Sequence, residues 1–453
     1  MADRRYPAAV IRLRISEASY EAIRSVLSKA EEGDILAGLC GWAQREGARG
    51  IETVLCVHTV GDTVLPLNAT DCNTLMAWLE GQKRWRGSWP VIFYRSEAEG
   101  NVYGHLQHRS EKLEHILAVS VSDAGEMAGH SIFENELTPI DSIMIAGSDI
   151  LIWAQGSEDQ ESGDPEQTKR FEQSFGSKTR RIVSQLTIGI VGVSGTGSPI
   201  AEMLYRLGVG ELVLVDDDHV ETKNLGRIYN SSTQDAKEAR LKVDVLGDAF
   251  ERNGLPTQAR RIAGTTHDPG VISELAQCDV VFGCMDTESG RALLNRLATF
   301  YLIPYFDVGV NLQADGAGGV SVVYGAVHYL KPGGSSLLSR RAISIENIEA
   351  EDLKRVNPEL YQHRKEEKYI RGVAEERPAV ITVNTMIASL AMNDFLARLH
   401  PYRRIPNIEV GCLRVDLREL MIHPEPEGRI DEGLARWVGR GDMKPLLNMP
   451  ALG

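Results

Sequence analysis

No two of the six cysteines (Cys40, Cys56, Cys72, Cys278, Cys284, Cys412) are spaced as Cys-x-x-Cys. No structural zinc is therefore expected, and the plain reading is a reduced, cytoplasmic chain. No apolar stretch is long enough to span a bilayer, and the start, Met1-Ala2-Asp3-Arg4-Arg5, lacks an apolar signal core. A membrane is therefore not an expected partner. Positive charge is in deficit, with 49 basic against 63 acidic residues and a net charge of −14. That balance argues against nucleic acid as a main partner, while leaving room for a local basic patch such as Lys169, Arg170, Arg180 and Arg181. Internal repeats and long low-complexity runs are also missing. What remains, 43% hydrophobic and 25% charged over 453 residues, is ordinary globular composition with room for two or three domains.

The most informative stretch runs from Ile188 to Leu241. The apolar run Leu186 to Val193 enters Gly192-Val193-Ser194-Gly195-Thr196-Gly197-Ser198. A helical pattern follows (Ile200, Met203, Leu204, Leu207), then a second apolar run, Leu212 to Val215, ending in Asp216-Asp217-Asp218. Strand, glycine turn, helix, strand and acid form the unit that binds the phosphates and ribose of a nucleotide. Glycines let the backbone approach phosphate, and the helix start supplies N–H donors and partial positive charge. Past the acids come Asn224-Leu225-Gly226-Arg227 and Lys242, then the apolar run Val280 to Cys284, closed by Met285-Asp286, with Arg291 and Asn295 on a helix. A dehydrogenase has no need of these cations and a second strand-end acid. A nucleotidyl transferase does, because Arg and Lys neutralise a triphosphate and an Asp at a strand end can hold Mg²⁺.

From about Thr168 to about His400 this order of motifs resembles the ThiF-type, ubiquitin-activating-enzyme-like adenylyltransferases. The fold implied is α/β: a doubly wound Rossmann-like adenylation domain (168–453) preceded by a smaller α/β domain (1–155), with the polar, acidic stretch 156–167 as linker. The resemblance implies ATP and Mg²⁺ as cofactors. Gly192, Gly195 and Gly197 would form the phosphate turn, with Ser198 at the helix start and Ser194 where many relatives carry glycine. Asp216 would bind the ribose, and Asp218 would sit near the phosphates or metal. Asn224 and Arg227 would grip the triphosphate and Lys242 the α-phosphate, with Lys237 as an alternative. Asp286 would be the Mg²⁺ ligand. Arg170 matches an arginine that in relatives reaches the phosphates, often from the partner subunit; an ordinary solvated charge is the competing reading.

By the same resemblance, the C-terminal glycine of a ubiquitin-like protein would attack the α-phosphorus of ATP, leaving an acyl-adenylate and pyrophosphate. A bacterial conjugation pathway with a conjugating enzyme and a peptidase as neighbours is implied, and a homodimer is expected. An adenylyltransferase for a sulfur carrier, a small molecule or a tRNA base is the alternative, as is an inactive nucleotide-binding partner subunit. Val327 to Arg340 resembles the family's crossover segment, which in many relatives carries Pro-Gly-x-x-Cys-Leu-x-Cys. Here Ser336 and Ser339 occupy the cysteine positions. Three explanations compete: direct transfer to another protein's thiol, use of Cys412 or Cys284, or serine substituted for a native cysteine. Both of those cysteines lie in strand-like runs, where a buried Cys is the usual reading. The stretch Ala379 to Leu399 reads as a broadly apolar helix, either core or dimer interface.

Strands in the N-terminal region are expected at Val10–Ile15, Ile35–Cys40, Thr53–Val57, Val91–Tyr94, Ile116–Val121 and Ser142–Ala146, with a helix at Ser19–Ala30. Strand order and Glu31-Glu32-Gly33-Asp34-Ile35-Leu36-Ala37-Gly38 resemble a degenerate JAB/MPN domain. A working site of that family needs a His-x-His pair, but Val91-Ile92-Phe93-Tyr94-Arg95-Ser96 stands in its place. His105 and His108 are separated by two residues and lack the other ligands. This region is expected to be non-catalytic, serving as a docking module or scaffold.

Overall fold

A computed structural model describes residues 10–452, apart from 32–33, 48–49, 63, most of 67–87 and of 97–114, 134–135, 155–164, 316, 318 and 367–379. Cys72, His105, His108 and most of the predicted linker lie outside the described residues. The N-terminal unit contains β1 (Val10–Ser16), a helix Glu17–Leu27, β2 (Asp34–Gly47), β3 (Gly50–Val60), β4 (Leu65–Pro66) and β5 (Trp89–Arg95). It continues with β6 (His115–Val121), β7 (Met127–Phe133), β8 (Glu136–Pro139), β9 (Ser142–Ala146) and β10 (Ile150–Ala154). The strands form one sheet in the order β10-β9-β1-β3-β2-β5-β6-β7-β8, with β4 on β2. Every residue of β1 and β6 is buried; β6 reads as a largely apolar run, whereas β1 alternates apolar residues with the buried Arg12, Arg14 and Ser16. Ser16 caps the helix by accepting from Ser19 N, and Tyr20, Ile23 and Leu27 form its buried stripe.

The C-terminal unit has β11 (Thr187–Val191), β12 (Glu211–Val215), β13 (Gln258–Ile262), β14 (Val280–Gly283), β15 (Tyr305–Ala314), β16 (Val320–Leu330), β17 (Cys412–Asp416) and β18 (Met421–Glu425). Their order is β13-β12-β11-β14-β15-β16-β17-β18. Neighbours from β13 to β15 are parallel, and β15 to β18 pair antiparallel. The chain winds outward from β11 to β13, then returns to add β14 on the other side of β11. This is the expected doubly wound α/β sheet. The reversal between β11 and β14 opens a crevice at their carboxyl ends, the place where such sheets bind ligands.

Helix Ile381–Leu399 lies on this sheet and buries Ile387, Ala388, Ala391, Met392 and Phe395, so it is core. Phe395 meets the stacked pair Phe282–Phe306 edge-on, with centroids 5.9 and 6.0 Å away. Truncating such a ring to alanine costs about 3–5 kcal/mol. Helical residues run from Pro165 to Gln185, broken by a kink at Gly176 (φ +80°), so the end of the expected linker, 165–167, is helical. Proline's fixed φ and missing N–H suit a first helical turn, which acidic composition alone does not reveal.

The two units share one core. Ala43, Val54, Cys56, Met144 and Ile150 of the first pack in the same apolar cluster as Leu275, Phe300 and Tyr301 of the second. Arg14, 1% exposed, donates to the carbonyls of Ala276, Gln277, Cys278 and Tyr301 at 2.7–3.1 Å. In return, Arg398 donates to Ser148 O at 2.8 Å and Tyr329 OH to Gly147 O at 2.5 Å. A buried guanidinium is tolerable only when most of its donors are spent; both terminal nitrogens of Arg14 are spent across the boundary, while its Nε has no partner among the described residues.

Candidate functional site

β11 ends in a turn that side chains would block. Gly192 has φ +86°, and a Cβ there would stand 2.9 Å from Cys284 O. A Cβ on Gly197 would come within 1.8 Å of Gly192 O, so the turn folds back on its own backbone. Helix Gly197–Leu207 starts straight from it, and its N-cap, Thr196, makes no side-chain cap bond. Ser198 N donates to Ser194 O at 2.9 Å and Pro199 carries no N–H, so Gly197 N and the helix dipole are left to favour an anion.

The acids at the end of β12 bind this turn rather than point away from it. Asp216, 8% exposed, accepts from Val193 N at 2.8 Å through Oδ2 and from Asp218 N at 3.0 Å through Oδ1. Burial pushes its carboxyl above the usual carboxylate range, against the pull of Lys242. Lys242, 5% exposed, opens helix Lys242–Asn253. Its Nζ donates to Asp218 Oδ2 at 2.6 Å and stands 3.5 Å from Asp216 Oδ1. Lys237 is exposed on the short helix Thr233–Lys237, so Lys242 is the lysine that the fold brings to the acids. The carboxylates of Asp216, Asp217 and Asp218 reach within 4.8 Å of one another.

The Asn224–Arg227 turn is pinned to the same place. Tyr229 N donates to Ser198 Oγ at 3.1 Å, and Tyr229 OH meets Thr385 Oγ1 at 3.1 Å. Asn224 is buried and its Oδ1 accepts from Glu221 N at 3.1 Å, closing a capping box. A Cβ on Gly195 would lie 3.1 Å from Arg227 Cδ and 2.8 Å from Asn384 Nδ2. Glycine there lets both side chains close over the turn. Among the described residues no carboxylate pairs with Arg227.

Asp286 follows β14 directly, at the crevice, and is exposed. It makes no hydrogen bond or ion pair with a described residue, and it is outside the Asp216–Asp218 group. Arg170 is exposed on helix Pro165–Gln185, and among the described residues no bond joins its side chain to the turn. Ser336 is 2% exposed. Its hydroxyl donates to Asp431 Oδ2 at 2.5 Å and accepts from Ser339 N at 3.0 Å, while its N donates to Ser339 Oγ at 2.9 Å. The serine pair is thus a hydrogen-bonded corner in which Ser336 is sealed from solvent.

A row of polar residues beside the crevice was not foreseen. Register pairs Gly283 with Asp307, Asp307 with His328, and His328 with Cys412. Asp307 takes both N–H groups of Arg291, at 2.8 and 2.6 Å, and the Tyr305 hydroxyl at 3.0 Å. Asn295 Oδ1 accepts from Leu337 N at 2.9 Å, so Arg291 and Asn295 both hold structure together. Burial lowers His328 to about 4, with Asp307 pulling the other way. Cys412 Sγ lies 4.0 Å from His328 Nε2, and burial pushes its thiol up to about 12. Burial also pushes the Cys284 thiol up. Neither cysteine is a ready thiolate.

The ThiF family model matches residues 168–423, more than half of the chain. Among curated proteins, ubiquitin-like modifier-activating enzyme 5 of Bombyx mori is 31% identical over 163 residues, 34% of this chain and 39% of that protein. The Drosophila willistoni enzyme of the same name is 25% identical over 185 residues, 38% of this chain and 43% of that protein. The chain thus spans less than half the length of these relatives. Among solved structures, E. coli MccB with ATP aligns over 60% of this chain and 74% of that one, with 17% identity and a TM-score of 0.45.

Proposed function

The chain belongs to the ThiF family, and from that premise we propose that it is an ATP-dependent adenylyltransferase acting on the C-terminal glycine of a ubiquitin-like protein. The observation that carries the reading is convergence. The turn Gly192–Gly197 with its three glycines, Arg227, Lys242 and the acids Asp216, Asp218 and Asp286 all belong to the crevice where the winding reverses. Among the described residues neither Arg227 nor Asp286 has a charged partner, which leaves both available to a ligand.

The residues divide the work. The turn and the open start of helix Gly197–Leu207 receive phosphate oxygens. Asp216, already fixed by two backbone N–H groups, stands at the strand end where a ribose hydroxyl is held. Lys242 is held by Asp218 until an anion of higher charge competes for it, and then neutralises the α-phosphate as the substrate carboxylate attacks. The new P–O bond forms as the bond to pyrophosphate breaks, and positioning with cationic stabilisation supplies the rate. Asp286, outside the Asp216–Asp218 group, offers an exposed hard oxygen that suits a divalent cation; Mg²⁺ held by it would supply further neutralisation of phosphate charge.

Because Ser336 is sealed by Asp431 and the Cys284 and Cys412 thiols are raised, the reading ends at the acyl-adenylate. The acyl group then passes to a thiol on another protein, such as a conjugating enzyme. The N-terminal unit, welded to the catalytic one through Arg14, serves as scaffold. Arg170 is exposed on its helix, and the proposed role for it is to serve a second copy of the chain in a homodimer. The test is ATP–pyrophosphate exchange with ubiquitin-like proteins ending in glycine, on the wild type and on Asp286→Ala. Exchange that needs both the terminal glycine and Asp286 is expected. Tight ATP binding without exchange for any such partner would defeat this substrate assignment and direct attention to small molecules or to an inactive subunit.

A further inference from the structure

Helix Ile381–Leu399 is tied near its start to both the glycine turn and the Arg227 turn. Asn384 donates from Nδ2 to Thr196 Oγ1 at 3.0 Å, in the glycine turn. Its neighbour Thr385 shares a hydrogen bond with the Tyr229 hydroxyl at 3.1 Å, in which either oxygen can donate. Successive side chains of a helix diverge by about 100°, so adjacent residues can serve two separate elements. Tyr229 follows Arg227 by two residues, and its N donates to Ser198 Oγ at 3.1 Å. Ahead of it, Asn224 O accepts from Arg227 N at 3.0 Å and from Ile228 N at 3.1 Å. Arg227 is therefore fixed on both sides along the chain, and its Cδ stands against Gly195, 3.1 Å from where a Cβ would be. The hydroxyl pair is what joins this turn to the long helix, and both of its residues are half-buried.

We propose that Thr385, through Tyr229, is a positioning residue for Arg227: the hydroxyl pair braces the Arg227 turn on helix Ile381–Leu399 and keeps the arginine side chain over Gly195 for the nucleotide's phosphates. Both hydroxyls act through the arginine and not by touching the nucleotide. A long side chain loses rotamer freedom when an anion orders it, and a braced turn leaves less to lose. The helix can serve as the brace because Ile387, Ala388, Ala391 and Phe395 are buried, so its start cannot drift without disturbing packed core. This inference rests on the nucleotide-binding part of the proposed function and is independent of the acyl substrate.

The test is a double-mutant cycle on ATP affinity, measured by calorimetry without acyl substrate. Tyr229→Phe and Thr385→Val each remove one hydroxyl at nearly constant shape, and each should weaken ATP binding about fivefold. The double variant should also lose about fivefold and no more, because both changes break the same bond. Thr385→Ser keeps the hydroxyl and should bind ATP within about twofold of the wild type. Adenosine carries no phosphate for Arg227 to hold, so it should bind every variant as it binds the wild type. Losses that multiply in the double variant would overturn the proposal, as would equal losses for adenosine and ATP, or unchanged ATP affinity in either single variant. A Thr385→Ser as weak as Thr385→Val would overturn it too, by assigning the effect to packing. A wild type that binds ATP but exchanges no pyrophosphate defeats the adenylation reading and leaves this cycle decisive; a wild type that does not bind ATP overturns both.

Discussion

His328 gives a prediction whose size follows from its surroundings. It is 4% exposed in the middle of the sheet, between Asp307 and Cys412, and its Nδ1 has no partner among the described residues. Burial holds it neutral, lowering it from 6.5 to about 4. The unfolded chain therefore binds a proton at a pH where the folded chain still refuses one. Stability contributed by the neutral ring is present above pH 6.5 and is lost as pH falls toward 4. The full gap corresponds to at most about 3 kcal/mol. Between pH 7 and pH 5 the loss attributable to this ring is about 2 kcal/mol. Asp307 and Glu17, both held below the usual carboxylate range, titrate below the pH 7 to 5 window. The measurement is urea denaturation of the wild type and His328→Gln at pH 7, 6 and 5. The stability advantage of the wild type should shrink steadily by that amount as pH falls. A difference that stays constant, or grows in acid, would refute the reasoning, because it would mean that the ring is already protonated in the fold.

Arg14→Met keeps the bulk but leaves the carbonyls of Ala276, Gln277, Cys278 and Tyr301 without their donor. Scanning calorimetry should show a loss of about 3–5 kcal/mol, and an unchanged midpoint would mean that the units are not joined through this group. Gly197→Ala should abolish ATP binding, because its Cβ would lie 1.8 Å from Gly192 O. Gly208→Ala is the comparison: φ is +76° with open space around it, so stability falls by about 1 kcal/mol while ATP binding persists. Lys242→Met should lower pyrophosphate exchange by about a hundredfold or more, and Lys237→Met should leave it unchanged. The reverse ranking would show that the Asp216–Asp218 contact misidentifies the working lysine.

What the sequence revealed and what it hid divide along contact distance. The path from β11 through the glycine turn to Asp216 was readable because every step is local: a buried run, a turn needing glycine, an amphipathic helix and a strand-end acid. The strands β7, β8 and β10 were not, because Gly129, His130 and Ser131 interrupt the pattern of β7 and β8 is an exposed edge. Arg227 and Lys242 could be named from their motifs, but their convergence is tertiary. Lys242 arrives because its N–H donates to Asp218 O at 3.1 Å, and Arg227 because Ser198 takes Tyr229 N. Asn384 is 188 residues from the Thr196 hydroxyl that it meets, and in sequence it is one polar letter in an apolar helix.

The serine pair shows the opposite limit, a local pattern whose meaning changes once its partners are visible. In sequence, Ser336 and Ser339 mark two missing thiols. In the fold, Ser336 joins Asp431, whose other oxygen caps helix Glu432–Ala435 by accepting from Leu434 N at 3.1 Å, while Ser339 donates to Arg429 O at 2.9 Å. A thiol is a weak donor with a longer reach, and it could not reproduce a 2.5 Å bond to that carboxylate. Placing cysteine at 336 would leave Asp431 Oδ2 under-bonded and the corner strained. This corner is therefore built for hydroxyls, which supports a chain that makes the acyl-adenylate and gives it away over one that keeps the acyl group on its own sulfur.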